Sequence, residues 1–162
     1  MLKKLNAKLI LTESVFLSLF ITGTYRLYIA YQAEFYKALS EEDYEKFYSL
    51  TDSTLGELLF KQLIFPIQTF LFGILIVGLV NWINKSSLFN LILTFLIVFS
   101  FFLLGFFKDG NIIPKTFNSF CFLFSKDIET AFFVGGEIIT LIAVVLLLSV
   151  SFSKNFSKTN NT

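Results

Sequence analysis

The chain has 162 residues, 55% hydrophobic and 19% aromatic, with 13 basic and 12 acidic side chains, a formal net charge of +1 and a mean hydropathy of +0.73. The apolar share is well above that of an ordinary soluble domain, and the near-balanced charge offers no basis for a nucleic-acid surface. Histidine is absent, which excludes HExxH metalloprotease chemistry, Ser-His and Cys-His nucleophile pairs, imidazole-ligated haem and most zinc sites.

Apolar runs near 20 residues cross about 30 Å of hydrocarbon at roughly 1.5 Å per helical residue. Four such runs occur, at residues 9–30, 58–83, 88–107 and 131–150. The expected fold is all-α: an integral membrane four-helix bundle forming one polytopic domain over residues 1–162. A short interfacial amphipathic helix is expected between helices 1 and 2.

The amino terminus, MLKKLNAKLILT, resembles the basic start of a secretory signal, but the apolar segment after it is too long and is interrupted by Glu13. It is expected to stay as the first helix. Along that helix Ser14, Ser18, Thr22, Arg26 and Ala30 recur every fourth residue. Such a stripe of small or polar groups belongs against protein.

The connection over residues 32–56 carries its own helical signal. Ser40 followed by Asp43 matches a capping box, and Tyr44, Phe47 and Tyr48 share one helical face opposite a charged one. All six tyrosines lie between residues 25 and 48, as expected of an aromatic girdle at a membrane boundary. Thr54 and Glu57 form a second capping box, which starts the second crossing. Within that crossing Pro66 removes a backbone donor and invites a kink.

The segment at residues 108–130 opens on KDGN, a turn signal. Its apolar part, residues 117–124, is too short to span, and is expected to dip into the interface or cover the mouth of the bundle. Cys121 within it is the only cysteine, which excludes an intrachain disulfide, and it reads as a small buried apolar residue. In the fourth crossing Gly135 and Gly136, with Ala131 and Thr140 four residues away, allow close helix packing.

Three ionisable side chains fall inside the crossings: Glu13, Arg26 and Glu137. Each costs about 2.5–3.5 kcal/mol at mid-helix and is expected to face protein or water. Arg26 lies about 6 Å, and Glu137 about 9 Å, inward from the same side. The two are therefore expected to pair, fastening the fourth helix to the first. Glu13 lies at a depth comparable to Asn81 and Asn90, whose amides are the expected donors to it. No ionisable side chain bridges Glu13 and Glu137, which counts against a proton path.

Lysines are denser in the amino terminus, the NKSS turn and the tail than in the other two connections. The positive-inside rule then puts both termini in the cytoplasm, with the protein multi-pass in the cell membrane. No phosphate-binding loop or convergent metal-ligand set is present, so neither enzyme activity nor a cofactor is expected. The expected role is that of a non-catalytic accessory or regulatory subunit of a membrane complex. Its partners would be the bilayer and another membrane protein or a second copy, and no nucleic acid. A homo-oligomeric pore or membrane-perturbing effector, as in a bacterial defence system, is the alternative, and a small transporter the weaker one.

Overall fold

The computed structural model describes residues 6–50, 54–107 and 112–152. Among them the chain is all-α, with seven helices and no strand. Three helices are long and apolar enough to cross a membrane: α1 (Ala7–Tyr31), α4 (Leu55–Ile83) and α7 (Ile128–Phe152). The expected third crossing, residues 88–107, coincides with the helix α5 (Leu88–Phe107). Three of the four expected crossings are thus helices of spanning length.

The helix starts follow from capping chemistry. Asn6 Oδ1 accepts from the Leu9 N–H at 3.1 Å to open α1. The Thr54 and Glu57 box forms as expected: the Thr54 N–H donates to Glu57 Oε2 at 2.8 Å, and the Glu57 N–H donates to Thr54 Oγ1 at 3.3 Å. Asp127 opens α7, accepting from the Thr130 N–H at 3.0 Å.

Two short helices, not one, separate α1 from α4: α2 (Ala33–Ser40) and α3 (Tyr44–Leu50). Ser40 is the last residue of α2, so the expected Ser40 cap does not start α3. The chain reverses at Glu42, with a left-handed φ of 56°, and Asp43 becomes the cap by accepting from the Lys46 N–H at 3.0 Å. Phe47 is buried and meets Phe35 of α2 edge-on at 6.4 Å, while Tyr44 and Tyr48 are 56% and 59% exposed. Of the three aromatics expected on one face, only Phe47 packs inward.

The remaining short helix, α6 (Ile112–Cys121), precedes the turn into α7. It begins five residues before the apolar stretch singled out in the sequence, and Phe122, Leu123 and Phe124 are exposed beyond its end.

Helix α1 lies at the centre. Phe16, Leu17 and Ile21 from α1 form the main core with Val77 of α4, Val98 of α5 and Ala143 of α7. The chain alternates direction, so Asn6, Asn81, Ser86 and Val150 gather at one end and Tyr31, Leu55 and Ile128 at the other. These are called the Asn6 end and the Tyr31 end below. The outer face of α4 exposes Leu71, Leu75, Leu79 and Trp82, an apolar exterior suited to lipid and costly in water.

Candidate functional site

Polar side chains gather at two depths along α1. Near the Asn6 end, Glu13 is 1% exposed. Asn81 Nδ2 of α4 donates to its Oε1 at 2.7 Å, and Thr94 Oγ1 of α5 donates to its Oε2 at 3.2 Å. Asn81 is itself held on both sides: its amide also donates to the Val77 carbonyl at 3.1 Å, and Ser86 Oγ donates to its Oδ1. One carboxyl group thus joins three helices through neutral donors.

The expected contact from Asn90 is not made. Asn90 Oδ1 instead accepts from the Asn6 N–H at 3.3 Å, and Thr94, one turn further along α5, takes the place beside Glu13. The two residues share a helical face about 6 Å apart along the axis, so the axial register of α5 against α1 chooses between them.

Toward the Tyr31 end, Arg26 is 6% exposed. Its Nη2 donates to Asn118 Oδ1 of α6 at 2.8 Å, and its guanidinium carbon lies 5.9 Å from the centre of the Phe117 ring. Beside it, Gln62 Nε2 of α4 donates to the Tyr25 hydroxyl at 3.0 Å. A cavity of about 710 Å³ opens between α1, α4, α5 and α6, with Arg26, Asn118, Tyr25 and Gln62 in its wall.

The expected Arg26–Glu137 pair is not formed, because Glu137 is exposed on α7. The cause is rotation about the α7 axis. Gly136 faces α1, and the next residue is turned about 100° away from it, onto a face shared with the exposed Phe133 and Leu141.

The small residues do bring helices together. A methyl group on Gly136 would lie 3.0 Å from the Gly23 carbonyl oxygen of α1, whereas one on Gly135 would lie 2.4 Å from Cys121 Sγ of α6. The two adjacent glycines therefore serve different neighbours. Ser14 is buried, Ser18 and Thr22 are half-buried, and Thr22 lines the cavity.

The short helices at the Tyr31 end carry the charges that titrate in water. Lys37 Nζ of α2 forms a salt bridge with Asp127 Oδ1 at 2.8 Å. This bond, with the Thr130 N–H, holds the Asp127 carboxyl down to about 2 and pushes the Lys37 ammonium up. Burial, together with the neighbouring phenols of Tyr25 and Tyr28, pushes the Tyr36 hydroxyl up to about 12. Burial also raises the Cys121 thiol, against the opposing pull of Arg26.

Sequence reasoning missed Thr94, Asn118 and Gly23. Only Gly23 carried a usable signal, as a glycine beside the stripe on α1. Among the described residues no three His, Cys, Asp or Glu side chains converge to hold a metal ion.

Among the described residues these features define an all-α protein with three helices of membrane-spanning length and two buried polar clusters strung along the central one. Comparison with protein-family models, curated proteins and solved structures finds no match.

Proposed function

We propose that the chain is a non-catalytic integral membrane protein in which α1, α4, α5 and α7 all cross the bilayer. In this reading both ends lie in the cytoplasm, and the protein acts as an accessory or regulatory subunit that docks a partner on the outward face of α7. The 20 residues of α5 support the fourth crossing, since at about 1.5 Å each they reach roughly 30 Å. The lysine density around the ends supports the orientation.

One observation carries the docking role: Glu137 is exposed in the middle of an apolar face, between Phe133 at 51% and Leu141 at 62% exposure. A carboxylate facing lipid at that depth is costly, by about 2.5–3.5 kcal/mol, and such residues normally turn toward protein. A partner helix bearing a lysine or arginine at the same depth removes that cost by charge complementarity.

The test places a photoreactive phenylalanine at Phe133, at Leu141 and, as a control, at Leu75 of α4, in native membranes. The expected result is one protein adduct from the two α7 positions, absent from Leu75 and lost in Glu137→Leu. Lipid adducts alone at all three positions would overturn the docking role. An adduct of twice the chain's mass would replace the accessory reading with the homo-oligomeric one. Reporters fused at the two ends are expected on the cytoplasmic side, and opposite sides would rule out four crossings.

A further inference from the structure

Helix α4 buries residues along only half its length. Its buried residues, Gly73, Val77, Val80 and Asn81, all lie toward the Asn6 end. Gly73 lets α4 meet α1 there, since a methyl group in its place would lie 2.2 Å from Leu17 Cδ1. From Leu55 to Phe72 no residue of α4 is buried; Gln62 bonds to Tyr25 and Phe65 stacks on Tyr28 of α1, and beside these contacts lies the cavity of about 710 Å³. That volume falls among those of small-molecule sites, roughly 300–1,000 Å³.

The lining has two chemical components. Arg26, Asn118, Gln62 and Tyr25 supply a cation and hydrogen-bonding groups, while Ile21, Leu63, Pro66 and Phe102 supply an apolar wall. Arg26 is 6% exposed and held in place by Asn118 and the Phe117 ring. A fixed, planar guanidinium enclosed by apolar walls is matched to the oxygens of a carboxylate or phosphate. The exposed sides of Leu59 and Leu63 on α4 place the opening within the apolar exterior.

We propose that this cavity binds a membrane-derived anionic amphiphile, with its carboxylate or phosphate against Arg26 and its acyl chain along Ile21, Leu63, Pro66 and Phe102. Charge selects the head and the apolar wall accepts the chain, so both parts are needed for binding. The site is separate from the outward face of α7 and does not depend on a partner there.

The experiment uses the full chain in nanodiscs of zwitterionic lipid, with a long-chain fatty acid carrying a diazirine as the probe. Expected labelling maps to the cavity walls on α1, α4, α5 and α6 and is competed by unlabelled fatty acid or lysophosphatidate, but not by the matching fatty alcohol or by inorganic phosphate. Arg26→Gln is expected to weaken labelling about tenfold or more, the usual scale for a lost charged hydrogen bond, with Arg26→Lys intermediate. Thr22→Phe fills the cavity and leaves the charge in place, so the test stands even if Arg26→Gln fails to fold. Equal competition by the alcohol would show that charge is not read, and competition by phosphate alone would replace the amphiphile with a free anion. Labelling confined to α2, α3 or α7, or wild-type labelling of folded Arg26→Gln or Thr22→Phe, would overturn the site.

Discussion

Gly23 of α1 and Gly136 of α7 bring their two backbones together: a methyl group on Gly23 would lie 3.0 Å from the Gly136 carbonyl oxygen and 2.8 Å from the Thr140 backbone nitrogen. With atoms of the facing helix backbone so close, a rotamer change alone does not make room. Gly23→Ala is therefore expected to destabilise the fold. Overpacking costs about 1–3 kcal/mol, against a gain in helix propensity of about 1 kcal/mol. Gly136→Ala meets its nearest neighbours at 3.0 to 3.1 Å and should cost less. Unfolding of both variants in one detergent gives the order, and a Gly23→Ala protein as stable as wild type would mean that α1 and α7 separate easily.

The Glu13 cluster predicts unequal effects from similar substitutions. In Glu13→Gln the amide oxygen still accepts from Asn81, and the Thr94 hydroxyl can turn to accept from the new amide group, so the loss should stay below about 1 kcal/mol. Asn81→Leu removes a donor to Glu13 and the acceptor for Ser86. Stranding buried polar groups in this way costs about 1–3 kcal/mol, and more for a charged one. A double-mutant cycle between Glu13→Leu and Asn81→Leu should be non-additive, because each change removes the bond the two share. Additive losses would mean that the Glu13–Asn81 bond contributes nothing to stability.

The Lys37–Asp127 bridge predicts a pH window. The folded Asp127 carboxyl is lowered from its ordinary 3.8 to about 2, so its contribution is complete above the ordinary value and is lost as pH falls through about 2. The folded Lys37 ammonium is raised above its ordinary 10.5, so its share is complete below that value and is lost as pH rises past the raised one. Protection of α2 amides against hydrogen exchange should be level between these limits. Asp127→Asn keeps an acceptor for the Thr130 N–H, so it should lower α2 protection a few-fold and leave the first turn of α7 intact, whereas Asp127→Ala should expose both. If α2 protection in Asp127→Asn matched wild type, the bridge would not be what ties α2 to α7.

Sequence alone established the all-helical character, the apolar segments, the cap at Thr54 and the shared depth of Glu13 and Asn81. Each depends on something carried within a single segment, namely its length, its hydropathy, a local cap or the count of residues from a helix end. Tertiary structure decided that Glu137 faces outward, that Arg26 meets Asn118 across 92 residues of chain, that Thr94 displaces Asn90 beside Glu13, and that α4 opens a cavity beyond Gly73. Those outcomes depend on how each helix is rotated about its axis and shifted along it against its neighbours. That placement is a property of pairs of surfaces, and no one stretch of sequence contains it.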